Sequence, residues 1–469
     1  MQTDTLPRED EETVLPQVRD EEGSLNGAYL AAVSEAIETS DAERLHILIG
    51  DLHESDLGDV LQAISREERE ALIALMGGDF DWTALTEVDE TVRDEILETI
   101  PNTAIAEAVR ELDSDDAIGI LEDLADEDRE EILAALPLAE RIKLERSFDY
   151  PEESAGRRMT TRFIAVPPFW TVGQTIDFLR EDDRLPDDFT EVFVVDPRFC
   201  FLGTVPLDRL LRTKRPVRIE DIMGEVTHSV SATDDQEEVA RLFERYNLLS
   251  VGVVDESDRL VGVITIDDIV DVIEEEADED IKRLAGVGDE ELTDTFVSAV
   301  RSRFIWLLLN LGTALLASMV IGLFDGTISQ MVALAVLMPI VASMGGNAGT
   351  QTMTVAVRAL ATRDIETINP IRFISREALV GLANGVLFAI IIGVVATLWF
   401  SSTQLGGIIA VAMVINMVAA GLAGILIPLA LEKAGADPAI ASSVFVTTVT
   451  DVVGFFAFLG LAAWWFAIS

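Results

Sequence analysis

From Phe304 onward the chain carries five apolar runs of membrane-spanning length: roughly Phe304–Phe324, Ile328–Val357, Ala378–Phe400, Ile408–Leu431 and Ile440–Ile468. A spanning helix needs about 20 such residues, because in lipid every backbone N–H and C=O must be satisfied inside the segment. A soluble helical core would put a polar face on helices of this length, and none is evident. Short cytoplasmic loops carry the Lys/Arg excess. Arg301 and Arg303 precede the first run, Arg358 to Arg376 lie between the second and third, and Lys433 lies between the fourth and fifth. The segments around Asp325 and Ser401–Gly407 have no basic residue. The expected topology is a multi-pass protein of the plasma (inner) membrane, with residues 1–300 in the cytoplasm and the carboxyl terminus outside.

Charge is segregated in the same way. The chain has 34 Lys/Arg against 84 Asp/Glu, a net charge of −50. After Val300 the signs balance at seven each, so residues 1–300 hold 27 basic and 77 acidic groups. Such a field repels nucleic acid and anionic lipid headgroups and attracts cations, which excludes nucleic acid as a partner. Only four lysines accompany 30 arginines, and the acids cover every soluble stretch. Self-repulsion on this scale is screened over about 3 Å at molar salt, so a salt-accumulating cytoplasm is expected. The one cysteine, Cys200, forms no intrachain disulfide, and no Cys/His cluster exists for zinc. Residues 1–27 carry no secretory signal and read as a disordered acidic tail.

Residues 28–147 read as an all-α superhelical domain built from a repeat. Asp56–Met76 overlays Asp116–Leu136 without a gap, and Leu61/Leu121, Glu67/Glu127, Arg69/Arg129 and Ala74/Ala134 coincide. Apolar residues recur at three and four, so each unit is helix, polar turn, helix. Residues 148–273 contain a second, α+β repeat. Met159–Leu211 and Met223–Ile273 each run strand, helix, β-branched strand into Asp, strand and acidic helix. This order resembles a tandem pair of cystathionine-β-synthase (CBS) domains, which frequently hold adenine nucleotides. The resemblance implies ATP as a candidate cofactor and Asp268, in Thr265-Ile266-Asp267-Asp268, as the ribose ligand. In the first copy Arg209 stands where that acid belongs. A helix amino-terminal cap is the other reading of Asp268.

Charge is costly in lipid, so an ionisable residue within a span is a functional candidate. Asp451 is the one noted deep in an apolar run, with no basic residue at its depth in another run. Its carboxylate requires water or a cation, unless Thr and Ser neighbours hold it as a structural pin. The second run contains Pro339 and Gly345-Gly346-Asn347-Ala348-Gly349-Thr350-Gln351. Pro339 and the glycines are expected to loosen the helix and free carbonyls, which membranes tolerate where backbone lines a watery cavity or is buried in protein. Asn347 and Gln351 are four apart and offer oxygens on one face. Close packing through Gly346 and Gly349 is the alternative. Oxygen donors with one carboxylate suit Mg²⁺, which keeps several of its waters, and the lack of His and Cys argues against zinc, copper or iron. Potassium and calcium stay open.

The order of helical repeat, CBS pair, acidic linker and five spans resembles the MgtE family of magnesium channels. The resemblance is carried by Tyr150-Pro151-Glu152-Glu153-Ser154-Ala155-Gly156, by Asp235-Gln236-Glu237-Glu238, and by Gly346-Asn347-Ala348-Gly349-Thr350-Gln351. Arg358-Ala359-Leu360-Ala361-Thr362-Arg363-Asp364 and Gly435-Ala436-Asp437-Pro438 also match. It implies a homodimer with a pore on its two-fold axis, lined by the second and fifth spans, with Asp451 as the ion site. It also implies that Mg²⁺ bound between the helical domain, the CBS pair and a linker ("plug") helix, residues 274–300, holds the pore of the membrane domain, residues 301–469, shut. The positions matching the regulatory ligands are Asp235, Glu237, Asp268, Asp271, Glu276, Glu279, Asp280 and Asp437, with Asp115 or Asp116. Independently of the resemblance, nine carboxylates lie between Asp267 and Asp280, and they repel one another unless screened. Two departures stand out: Asn247 where relatives commonly have Asp, and Ser442-Ser443-Val444 where many have Asn-Pro or Gly-Pro.

The resulting expectation is Mg²⁺ uptake gated by cytoplasmic Mg²⁺. The rivals are transport of another divalent ion such as Co²⁺ and a non-conducting membrane sensor of Mg²⁺ or nucleotide. An enzyme is not expected, because there is no Gly-rich phosphate loop and none of the three histidines (His46, His53, His228) falls in a motif.

Overall fold

The computed structural model describes residues 16–466 except 123, 183–184, 187, 225–227, 288–295 and 362–369. The side chains of 111, 298, 361, 370 and 440–442 are likewise undescribed. Glu9 to Glu12 of the acidic tail, and Thr362, Arg363 and Asp364 of the loop motif, lie outside the described residues. The chain divides into two compact units, Met1–Ile273 and Glu274–Ser469.

The described part of the first unit opens on a clipped turn. Arg19 bridges to Leu25 and pairs with Asp56 at 2.6 Å and Asp59 at 2.7 Å. Among the described residues, α-helices then follow from α1 (Gly27–Glu38) to α9 (Leu138–Phe148). The internal repeat appears as α3 (Glu54–Ala63) with α4 (Arg66–Met76), and α7 (Ser114–Glu122) with α8 (Asp126–Ala135). The two copies bury equivalent positions: Leu57, Val60 and Leu61 match Ala117, Ile120 and Leu121, and Leu72 and Ile73 match Ile132 and Leu133. The amphipathic period read from the sequence therefore points into one shared core. Ser65 and Glu68 form a reciprocal capping box that starts α4.

Two three-stranded sheets follow, with the same topology. In one, β1 (Ala165–Val166) pairs parallel with β2 (Glu191–Val195), which pairs antiparallel with β3 (Phe201–Pro206). In the other, β4 (Ser229–Ser231), β5 (Ser250–Val254) and β6 (Leu260–Thr265) repeat the pattern. The crossover helices are α10 (Val172–Glu181) and α12 (Gln236–Tyr246), and α11 (Leu207–Arg212) and α13 (Ile266–Ala285) leave the last strands. Both copies shift register at the same place, Val194/Val195 and Val253/Val254. The copies are braced across: Thr160 bridges to Val263 of the second sheet, and Cys200 bridges to Arg259.

The second unit holds five helices long and apolar enough to cross a membrane: α14 (Phe296–Gly322), α16 (Ala333–Ala361), α17 (Pro370–Phe400), α18 (Thr403–Lys433) and α19 (Pro438–Phe466). A short helix, α15 (Asp325–Gln330), precedes α16. The most buried of the five is α18, which packs along α16, α17 and α19. The expected plug segment, residues 274–300, is described in part. Its first part continues α13 without a break from the second CBS copy, and α13 stops where Gly286 takes φ +70° and Val287 N–H reaches back to the Lys282 carbonyl. Residues 288–295 lie outside the described residues, and α14 has begun by Phe296.

Candidate functional site

Apart from the buried Thr352, the polar residues of α16 are exposed. Ser343, Asn347, Thr350, Gln351, Thr354 and Arg358 are exposed, whereas Val341, Gly345, Gly349, Thr352, Met353 and Ala356 are buried against the bundle. The second span thus has the polar stripe that its mean apolarity concealed. A stripe on a spanning helix faces water or protein, because lipid cannot satisfy it. Hydroxyls along it bond back into the helix: Thr350 Oγ1 donates to the Gly346 carbonyl and Thr354 Oγ1 to the Thr350 carbonyl, each at 3.0 Å.

The loosening expected at Pro339 and the glycines is not seen. The segment is one continuous helix with Pro339 inside it. A proline removes a single i→i−4 bond, here the one to the Ala335 carbonyl, and the surrounding turns carry the helix through. The glycines also separate in role. A methyl at Gly346 would meet nothing within 4 Å, whereas one at Gly349 would come within 2.5 Å of Val446 Cγ1 on α19. Gly346 belongs to the open face, and Gly349 lets two helices approach.

Asp451 is half-buried on α19, on the same side as Ser443 and Thr447, at a four-residue spacing. Among the described residues no hydrogen bond or ion pair reaches its carboxylate. The threonines that would pin it are engaged elsewhere: Thr448 donates to the Val444 carbonyl at 2.6 Å and Thr450 to the Thr447 carbonyl at 2.9 Å. Gly349 packs on Val446 and near Thr450, so the α16 stripe and the α19 carboxylate belong to adjacent packed helices.

Two buried polar groups of the bundle escaped the sequence reading. Glu377, near the start of α17, is 7% exposed, with Thr352 Oγ1 at 3.5 Å and Arg376 Nη1 at 4.0 Å. It stands immediately before the apolar run Ala378–Phe400, where the sequence carries no sign of its burial. Asn416, fully buried in α18, donates from Nδ2 to the Val341 carbonyl at 2.8 Å, while its Oδ1 is buried without a partner. An uncharged residue among apolar neighbours gives no signal in sequence.

The expected regulatory acids fall into separate groups. In the first unit, Asp115 and Asp116 open α7 and face Asp268 at the start of α13. Burial, then the Asp268 charge, pushes the Asp115 carboxyl well above the ordinary range, and its Oδ1 is buried without a partner. The same two causes push Asp116 up to about 7. Asp268 is pushed up to about 6 by burial and by Asp267 and Asp271, against hydrogen bonds from Thr265 that pull it down. Its Oδ2 accepts from Thr265 Oγ1 at 2.5 Å and from the Thr265 N–H at 3.3 Å, so that the third residue of α13 reaches back to the one before the helix, as the acid of a capping box does. In the first CBS copy Arg209 donates to the Ile222 carbonyl at 2.9 Å.

In the second unit, Asp437 caps α19 by accepting from the Ala439 N–H at 2.7 Å. Arg283, not anticipated, links acids of this group: Nη1 is 2.6 Å from Asp437 Oδ2, and Nη2 pairs with Glu279. Burial, then Asp437, pushes the Asp280 carboxyl up, while Arg358 pulls it down. Glu276 is half-buried on α13 and Asp271 exposed. Asp235 caps α12 through the Glu237 N–H at 2.9 Å, and Glu237 pairs with Arg241 at 2.8 Å. Asn247 ends α12 in the left-handed conformation, φ +52°, which Asn tolerates better than most residues. Among the described residues no three carboxylate, His or Cys side chains converge into a complete metal cage. An ion held there would keep much of its water, as Mg²⁺ does.

An acidic unit with a CBS pair joined to five helices of spanning length, one of them carrying a carboxylate with no partner among the described residues, defines a membrane transport protein of the cation-handling class. Comparison with known proteins agrees. Residues 338–461 match the MgtE divalent cation transporter profile, 52–153 the MgtE intracellular N domain and 219–275 the CBS domain. The chain is 30% identical over 417 residues, 88% of its length and 92% of the relative's, to the magnesium transporter MgtE of Bacillus subtilis (strain 168). It is 36% identical over 314 residues, covering 67% and 69%, to the Enterococcus faecalis (strain ATCC 700802 / V583) protein of that name. The crystal structure of the cytosolic domain of the Mg²⁺ channel MgtE in complex with ATP matches with a TM-score of 0.49 at 29% identity, over 52% of this chain and 99% of that one. The chain belongs to the MgtE family.

Proposed function

We propose that this chain conducts Mg²⁺ into the cell as a homodimer, with the soluble unit and the amino terminus in the cytoplasm and the carboxyl terminus outside. The observation that carries the reading is the Asp451 carboxylate, which lies within a span and has no protein partner among the described residues. A bare carboxylate at that depth is costly, and a hydrated divalent cation offsets the cost while keeping its inner waters. The exposed stripe of α16, with Asn347 and Gln351, supplies outer-shell oxygens beside it. A second copy across a two-fold axis covers that stripe and encloses the path.

The acids of the soluble unit and of the α13 end supply the gate. Burial, then the facing Asp268 charge, makes ionised Asp115 and Asp116 unfavourable in the compact arrangement. Divalent ions bind such an arrangement better than a splayed one, and only this difference in affinity shifts a gate. Abundant Mg²⁺ therefore favours closure and scarcity favours opening. Nucleotide is not needed for this scheme.

The test is growth of a magnesium-auxotrophic cell expressing the chain, beside Asp451→Ala. Wild type is expected to restore growth and the variant to fail. Equal growth of the two refutes the assignment of Asp451, and growth of neither refutes conduction.

A further inference from the structure

Asn416 occupies an unusual position in the bundle. Its side-chain amide lies between two glycines from different helices. A methyl added to Gly345 on α16 would sit 2.2 Å from Asn416 Nδ2, and one added to Gly454 on α19 would sit 2.7 Å from the same atom. No real Cβ contact is that short, so both backbones are pressed against the amide. The Nδ2 donor is held by the Val341 carbonyl at 2.8 Å, one turn before Gly345. The Oδ1 acceptor is buried beside the same two glycines without a donor. Leaving a buried acceptor unanswered is unfavourable, and an apolar side chain would fill space without that cost. Gly345 is two residues before Asn347, and Gly454 is three residues after Asp451. The wedge therefore acts on the two helices that carry the candidate ion-path groups, and at their level.

We propose that Asn416 is a positioning residue that sets the spacing between Asn347 and Asp451, and through that spacing the preference for Mg²⁺, which keeps a rigid octahedral water shell, over Ca²⁺, whose coordination is larger and looser. The inference rests on the ion-path reading given above. Discrimination between Mg²⁺ and Ca²⁺ depends on cavity size and rigidity. A wedge clamped between two backbones fixes both, whereas a smaller side chain lets the helices settle at a new distance. Asn416 itself touches no ion.

The experiment is flux of Mg²⁺ and of Ca²⁺, measured separately, through the full-length chain in liposomes. Asn416→Ala is expected to lower the Mg²⁺/Ca²⁺ flux ratio at least about fivefold, as a relaxed site would. Gly345→Ala alone is expected to lower Mg²⁺ flux about tenfold or more through overpacking, and Asn416→Ala in the same chain to restore most of it by vacating the clash. Gly454→Ala tests the opposite wall, and the same rescue is expected. An unchanged ratio in Asn416→Ala, whatever its thermal stability, overturns the inference, since a purely structural residue would alter stability alone. Failure of both glycine rescues also overturns it. Wild type carrying no more Mg²⁺ than Asp451→Asn overturns instead the ion-path reading beneath it.

Discussion

Arg283 changes how the acidic linker is understood at the level of single residues. A nine-carboxylate stretch calls for external cations, yet the fold supplies a tethered one that pairs with Glu279 and Asp437. These side chains are about one-quarter exposed or less, so the pairs are less screened than surface ion pairs. Removing the guanidinium leaves Asp437, Glu279 and Asp280 facing one another, which weakens the ion-free protein and raises its affinity for divalent ions. Arg283→Gln is therefore expected to lower Tm without Mg²⁺ and to enlarge the rise in Tm that Mg²⁺ produces. A thermal-unfolding series in Mg²⁺ checks this, and an unaltered increment refutes it.

Among the helices, small residues decide where the bundle closes and where it stays open. Gly346 and Gly349 lie three residues apart on α16, yet only Gly349 lies against a neighbouring helix. Gly349→Ala is expected to cost about 1–3 kcal/mol by overpacking against Val446, whereas Gly346→Ala meets nothing within 4 Å inside one protomer and is expected to leave the stability of the single protomer unchanged. Unfolding of the two variants in detergent distinguishes them. Gly424→Ala, whose methyl would lie 2.7 Å from the Gly349 carbonyl, belongs with the first.

The contact between α7 and the start of α13 carries a pH dependence. Asp116 and Asp268 have raised proton affinities in the folded unit, so the native state binds more protons than the unfolded chain, whose aspartates titrate near 3.9. Their contribution to stability is thus complete at low pH and is lost as pH rises to about 7, the value reached by Asp116. Stability should fall from pH 5 to pH 7, and Asp116→Asn should flatten the curve over that range. Saturating Mg²⁺ should flatten it too, because the ion replaces the proton. A Tm that rises with pH in this window contradicts the scheme.

At the scale of the whole molecule, the charge of −50 lies entirely in residues 1–300, and no single pair neutralises it. Most of its ion pairs are exposed and contribute little individually. Screening by salt must then do much of the work, and Tm is expected to climb steeply between 0.1 and 2 M KCl, as the Debye length contracts below about 10 Å. Indifference to KCl would remove the expectation of a salt-accumulating cytoplasm.

What the sequence settled by itself was everything with a period or a length. Five spans follow from apolar run length, the helical repeat from spacing at three and four, and the CBS topology from two copies of one strand and helix order. Leu61 and Leu121 are buried at matching places because the same pattern builds the same face. Asp451 was legible for a related reason, as a charge interrupting an apolar run. The tertiary structure alone decided which polar groups meet. Arg283 and Asp437 are 154 residues apart, and Asn416 meets Gly345 and Gly454 only because three helices cross there. Hydrophobic burial is encoded locally, one residue at a time, but the distance between two polar groups is fixed by how whole helices pack.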